Sequence, residues 1–358
     1  MSDSTLTLSR PAAAASDNPG SPQDGAAELA AAMFPTTVPC LTTVARLGVA
    51  AALDAGPRTI GDLAAQAGCD PEALTKVIAV LAAEGIFALS PDGTVAHTPR
   101  SEPLSPAHPR SLHDMALLIG EEWLWRCWGV LPDAVRTGAP AFALAFGESA
   151  WSWLPRHPDA GRVFHAAMAA FSRTVSDQLV AALPVLAGER VVCDLGGGTG
   201  TYLAAILRAN TSVEHGIVLD APDVVAQAQA HPVDPELSAC GRLQFTAGNF
   251  LEQVPAADLY VAKQIIHSWT DDDVIALLRV VREANPRARV VIAEFVADAS
   301  SPRFARDFDL TMFLTMPGAV RRAEDLERIV AAAGFELVGI HATASTLSLI
   351  EARPRGAE

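Results

Sequence analysis

Positive charge is scarce in this chain: 26 lysines and arginines face 41 aspartates and glutamates, a net charge of -15 over 358 residues. That balance opposes nonspecific attraction to phosphodiester backbones and anionic lipid, so neither nucleic acid nor a membrane surface is expected as a partner. Cysteine is scarce too. The five cysteines, at 40, 69, 127, 193 and 240, form no close pair with metal-ligand or redox spacing, so free thiols in a reducing cytoplasm are the simplest expectation. No apolar stretch is long enough to span a bilayer, and no repeat recurs at a solenoid period. Residues 1–25 carry one arginine and no apolar segment and are rich in Ala, Ser, Pro, Asp and Gly, which suits a disordered tail and not an export signal.

What the chain has in quantity is apolar side chains, half of all residues, enough for two cores in a chain of this length. Its most informative stretch joins a short apolar strand, Arg190 to Cys193, to a helix beginning near Tyr202. The connection is Asp194-Leu195-Gly196-Gly197-Gly198-Thr199-Gly200. Glycines at 196, 198 and 200 tolerate positive φ, so the loop backbone can fold closely under a small charged ligand facing the helix N-terminus. A dinucleotide fingerprint would need a third glycine where Thr201 or Leu203 stands, and a P-loop would need Lys followed by Ser or Thr. The remaining pattern, an acidic residue followed by alternate glycines, resembles the first motif of class I S-adenosylmethionine-dependent methyltransferases. The resemblance implies that Asp194, Gly196, Gly197, Gly198 and Gly200 face the amino-acid end of that cofactor.

Downstream spacing fits. Strand His215 to Leu219 ends at Asp220, where nucleoside-binding sheets place a ribose carboxylate, and Pro222 opens the next helix. Strand Leu243 to Thr246 leads to Gly248-Asn249-Phe250. The family usually has an acidic residue at the middle position to accept from the adenine amino group, and Asn249 can accept through its amide oxygen without charge. Adenine recognition by Asn249 and Phe250 is therefore expected, in a weakened form.

A second constellation, Lys263-Gln264-Ile265-Ile266-His267-Ser268-Trp269-Thr270-Asp271-Asp272-Asp273, follows strand Asp258 to Ala262. Lys-x-x-x-His-x-Trp before acidic residues and a helix is similar to the catalytic segment of plant-type, caffeate-like small-molecule O-methyltransferases, whose bacterial members modify natural products. The resemblance implies that His267 is the general base, that Glu294 after strand Arg289 to Ala293 orients it, and that Lys263 belongs to the cofactor site. An unperturbed phenol and imidazole differ by about 3.5 pK units, about 4.8 kcal/mol, so proton removal should accompany methyl transfer and not precede it. Thr270 and Asp273 read as an N-cap pair opening helix Val274 to Glu283, and the three aspartates as dipole-compensating charges; no metal site is expected. The family's Gly-Gly-x-Glu-Arg-Thr segment, whose glutamate also contacts the histidine, is here Pro317-Gly318-Ala319-Val320-Arg321-Arg322. Val320, or with a shifted gap Arg321, replaces that glutamate, and Ser268 stands where many relatives have Asp. Some relatives keep the cofactor and carry out decarboxylation, hydroxylation or pericyclic chemistry.

Residues 58–97 read helix (Thr59 to Ala67), helix (Pro71 to Glu84) and a hairpin around Ser90-Pro91-Asp92-Gly93, a winged-helix pattern. A transcription regulator would need clustered Lys or Arg on the second helix, which carries Glu72, Lys76 and Glu84. A dimerisation scaffold fits better. Helix Ala26 to Ala55 and segment Ser111 to Arg136 are apolar enough to need burial, which suggests a homodimer. Phe164, Met168 and Phe171 recur at helical spacing. The resemblance makes Met168 and Phe171 candidates for contacting a small aromatic acceptor, with Met312, Met316, Trp269 and His165. The expected architecture is α/β: a mainly α-helical winged-helix dimerisation domain (26–150), linker helices lining the acceptor pocket (151–184), and a class I Rossmann-like domain (185–358).

Overall fold

The structure, a computed structural model, describes residues 22–184, 186, 188–297 and 303–356. The amino-terminal part is helical around a small antiparallel sheet of Arg58–Thr59 (β1), Phe87–Leu89 (β2) and Thr94–His97 (β3), ordered β1-β3-β2. Local chemistry explains the winged-helix portion. The Thr59 hydroxyl accepts from the Asp62 N–H to start helix Ile60–Ala67, Gly68 ends it in the left-handed region, and the Asp70 carboxylate accepts from the Ala73 N–H before Pro71 opens helix Pro71–Ala83. Leu63, Leu74, Ile78, Leu81 and Phe87 fill the core beneath.

One expectation fails here. The single helix from Ala26 to Ala55 is three helices, Pro22–Ala32, Thr37–Arg46 and Val49–Leu53. Pro35 cannot donate within a continuing helix, and Gly48 adopts a left-handed φ of 65°. The first helix also begins inside the expected tail, of which residues 1–21 lie outside the described residues.

The carboxyl-terminal half is built on a mixed sheet. Its strands are Val191–Leu195 (β4), His215–Asp220 (β5), Leu243–Ala247 (β6), Leu259–Lys263 (β7), Arg289–Glu294 (β8), Phe335–Ala342 (β11) and Ser348–Pro354 (β12), in the order β11-β12-β8-β7-β4-β5-β6. A separate parallel pair joins Val296–Ala297 (β9) to Arg321–Arg322 (β10). Strands β4 to β8 run parallel, and β12 is antiparallel to both neighbours. Alternation along the strands separates two cores. Cys193, Leu195, Tyr260, Ala262, Val290 and Ile292 face helices Asp271–Ala284 and Ala323–Ala332, while Val192, Leu259, Val261, Val291 and Ala293 face helix Thr201–Ala209 and the end of helix Pro158–Ala182. After β4 the chain builds outward through β5 and β6, then returns to place β7 on the other side. The strand order reverses between β4 and β7, where open α/β sheets bind ligands beyond the strands' carboxyl ends.

Candidate active site

Two loops meet at that reversal, because β4 and β7 are hydrogen-bonded neighbours with Asp194 opposite Val261. The first is the glycine loop. Gly196 and Gly198 adopt φ of 64° and 59°, and Gly200 precedes helix Thr201–Ala209 at φ 80°. At Gly196 a side chain would be excluded twice, by conformation and by Ile265 of the second loop, whose Cδ1 would lie 2.5 Å from an added Cβ. At Gly198 a Cβ would meet no protein atom, so its backbone borders open space. Its N–H donates to Asp220 Oδ2 at 2.8 Å, tying the loop to the end of β5, and the other Asp220 oxygen accepts from the Ala221 N–H.

Asp194 is the unusual member. Its side chain is buried beneath Gly197, and neither carboxylate oxygen has a hydrogen-bond partner; the buried Tyr202 hydroxyl beside it has none either. Burial pushes the Asp194 carboxyl up to about 7 against the pull of Lys263, and burial lowers the Lys263 ammonium against the attraction of Asp194 and Glu294. Asp194 and Lys263 fall on one face of the sheet, two residues beyond Val192 and Val261 respectively. Orphaned buried acceptors under a glycine loop are what a small ligand carrying an ammonium group would satisfy. The residues present therefore fit S-adenosylmethionine.

The second loop follows β7. Gln264 takes φ 56°, among the described residues the one non-glycine at positive φ, and turns the chain sharply into a single 3₁₀ turn, Ile266–Ser268. His267 is buried in that turn, and its Nδ1 lies 2.7 Å from Glu294 Oε2 at the end of β8. The other Glu294 oxygen accepts from the His267 backbone N–H at 3.3 Å. An ionised carboxylate can only accept, so in the neutral ring the proton sits on Nδ1 and Nε2 keeps its lone pair. Phe308 closes one side of the imidazole edge-on, with ring centroids 5.2 Å apart. The loop ends in a capping box, Thr270 with Asp273, opening helix Asp271–Ala284. Two of the three aspartates do more than offset a dipole: Asp271 bonds Arg321 and Arg328, and Asp273 completes the box.

Trp269 stands edge-on to Phe250, with centroids 5.9 Å apart, and stacks on Trp151 at 6.2 Å. It thus lies between Phe250 and Trp151, and Trp151 packs in the cluster of Met168, Met312 and Met316. His165, expected at the acceptor, is half-buried, and burial lowers its pKa against the pull of Asp220 and Asp223. The Asn249 oxygen already accepts from the Leu251 N–H, and its amide donates to Glu252 Oε1 at 2.9 Å, so it shapes its own turn as well. Met168, Met312 and Met316 gather in one apolar cluster with Trp151 and Phe164, while Phe171 belongs to the neighbouring cluster with Phe308 and Val320. Trp151, Phe308 and Arg321 were not foreseen as site neighbours. For Trp151 and Phe308 the sequence offers no local signal; Arg321 falls on the arginine of the Gly-Gly-x-Glu-Arg-Thr pattern when Val320 stands for its glutamate.

An O-methyltransferase domain family matches residues 128–336. The phenazine O-methyltransferase PhzM of Lysobacter antibioticus is 34% identical over 88% of this chain and 92% of its own length. The 8-amino-8-demethylriboflavin N,N-dimethyltransferase of Streptomyces davaonensis is 31% identical over 87% of this chain and 90% of its own. Among solved structures, the O-methyltransferase NcsB1 from neocarzinostatin biosynthesis, in complex with S-adenosylmethionine and 2-hydroxy-5-methyl naphthoic acid, superposes with a TM-score of 0.75 at 28% identity, covering 89% of this chain and 96% of that one.

Proposed function

This chain belongs to the O-methyltransferase domain family and is an S-adenosylmethionine-dependent O-methyltransferase; from that premise we propose that it methylates a phenolic hydroxyl of a small planar aromatic natural product, with His267 as general base. The observation that carries the reading is the buried His267–Glu294 pair, set beside the orphaned acceptors of the glycine loop. When bound, S-adenosylmethionine supplies an electrophilic methyl group. The protein supplies the rest. Glu294 fixes the ring so that Nε2 can take the acceptor's proton as the new bond forms, and Phe308, Phe171 and the methionine cluster exclude water. Asp194 and the loop backbone would hold the amino-acid end of the cofactor, Asp220 the ribose, and Phe250 with Asn249 the adenine, with Trp269 and His165 on the acceptor side. Met168, Phe171, Met312 and Met316 would line the acceptor side; thioethers and flat rings suit the fused-ring acceptors named for the relatives. Methyl gain read by mass, with labelled cofactor and a panel of hydroxylated phenazines and naphthoates plus an aminated flavin, tests this. Transfer to nitrogen alone, or conversion of an acceptor without methyl gain, would refute it.

The raised Asp194 carboxyl gives a pH test. A bound ammonium favours the ionised carboxylate, so binding lowers the pKa of Asp194 and releases its proton where the free protein still holds one. Cofactor affinity should therefore fall by up to about tenfold between about pH 8 and about pH 6, with proton release on the acid side. Calorimetry in buffers of different ionisation enthalpy measures that release. Asp194→Asn should bind more weakly and lose this pH dependence; an unchanged slope would separate Asp194 from the ligand.

We assign residues 26–150 to dimerisation, 151–184 to the acceptor-lining connection and 185–358 to the cofactor domain, and place the enzyme in the cytoplasm as a homodimer. Leu29, Met33 and Phe34 at the amino-terminal helix are 61%, 67% and 75% exposed, and Trp125, Trp128 and Val135 are exposed on helices Glu122–Gly129 and Leu131–Thr137, which supports burial against a second copy. A stable monomer by light scattering at micromolar concentration would reject the assignment.

A further inference from the structure

The segment Pro317 to Arg322 departs from the family motif at Val320, yet the structure packs it hard against the loop that carries His267. A Cβ on Gly318 would lie 2.2 Å from the His267 carbonyl oxygen and 2.6 Å from the Trp269 nitrogen, so backbone rests directly on backbone. Arg321, on β10, is buried with 6% of its side chain exposed and spends its fork on the same loop. Nη1 donates to the Ile266 carbonyl at 2.6 Å, Nη2 to the Trp269 carbonyl at 2.7 Å, and Nε to Asp271 Oδ1 at 2.8 Å. These acceptors bracket His267, one residue before it and two and four residues after it. Arg328 of helix Ala323–Ala332 holds the other oxygen of Asp271 at 2.5 Å. Where the family's second glutamate would stand, the Val320 N–H donates to Asp309 and its side chain joins the apolar cluster of Phe171 and Phe308. Glu294 is then the carboxylate that the imidazole contacts, and it fixes the ring from one side only.

We propose that Arg321 is a positioning residue for His267: its guanidinium locks the carbonyls on both sides of the 3₁₀ turn and so fixes where Nε2 points. A planar fork with several fixed donors is required, because a lysine ammonium in the same place is a point charge that cannot hold three diverging acceptors. The inference rests on His267 being the base. It predicts that misplacing the turn by a fraction of an ångström damages the chemical step while leaving the cofactor's loop intact, since the glycine loop is held from β4 and β5.

In the full-length protein, Arg321→Lys should lower kcat with the best phenolic acceptor of the panel roughly 10- to 100-fold, with cofactor Kd changed by no more than about twofold. Guanidinium ion added to Arg321→Ala should restore part of kcat and should do nothing for His267→Ala. Proton NMR supplies a readout without acceptor: the downfield proton held between His267 Nδ1 and Glu294 should be sharp in the parent and broadened in Arg321→Lys. If Arg321→Ala fails to fold, Arg321→Lys carries the test. A kcat within about twofold of the parent, or a loss that only tracks cofactor affinity, with that proton unmoved, overturns the positioning role. Full turnover in His267→Ala would instead overturn the reading beneath it.

Discussion

Replacing His267 by alanine should lower turnover by roughly 10² to 10⁴, the range of a lost general base, while the affinity for S-adenosylmethionine stays close to that of the parent. The two effects separate because the two loops are anchored separately. Glycine-loop contacts run to β5 through Asp220 and Gly198, whereas His267 is held from β8 and β10 by Glu294 and Arg321. Alanine leaves Glu294 buried without its Nδ1–H donor, so some stability will be lost as well. His267→Gln, with an amide that can still donate to Glu294, isolates the chemical effect: it should fold better than the alanine variant and turn over no faster. Single-turnover rates with saturating cofactor measure the chemical step directly. Parent-like rates in both variants would remove the imidazole from the mechanism and leave the pair with Glu294 as a structural bond.

Gly198→Val should weaken cofactor binding at least about 100-fold, equivalent to about 2.7 kcal/mol. Gly198 sits at φ 59°, where a β-branched residue is strongly disfavoured, and its N–H holds Asp220 at 2.8 Å. An added side chain would meet no protein atom, so the change does not disturb the core; it would project into the space beyond β4 where the ligand must come close to the backbone. Gly138→Val is the matching control, because Gly138 also has open surroundings and a left-handed φ of 72° but lies at the end of helix Leu131–Thr137. Both variants should lose a comparable amount of thermal stability, about 1–2 kcal/mol of left-handed strain. Calorimetry should show that only the first loses affinity. Equal affinity in the two would mean that the cofactor does not touch this loop.

Much of this site is legible in the chain because its parts are local. Asp194 and the alternate glycines form one turn, and Thr270 and Asp273 form one cap; each is decided by residues within a few positions, where backbone conformation and short-range hydrogen bonds dominate. The winged-helix caps at Thr59 and Asp70 are legible for the same reason. The amino-terminal helix was misjudged because composition does not weigh a single left-handed glycine or an interrupting proline, and Gly48 and Pro35 break what Ala-rich sequence would continue. Spacing on one helix or loop says which face a side chain takes, not which distant element that face meets. Trp269 meets Phe250 and Trp151 through such long-range packing.

By itself the sequence determined the chemical inventory: a glycine turn able to lie under a nucleoside, a histidine just past a strand, and a carboxylate at the end of the next. Only the tertiary structure decided that these become one site, through the reversal of strand order between β4 and β7 that brings residues 194, 263 and 267 together with 294. It likewise decided that Arg321, some fifty residues after His267 in the chain, would be spent on holding it. The physical reason is range. Turns and caps are settled by neighbours in sequence, whereas a buried charge such as Asp194 or Arg321 acquires its role from whatever partners, or lack of them, the packing of distant strands provides.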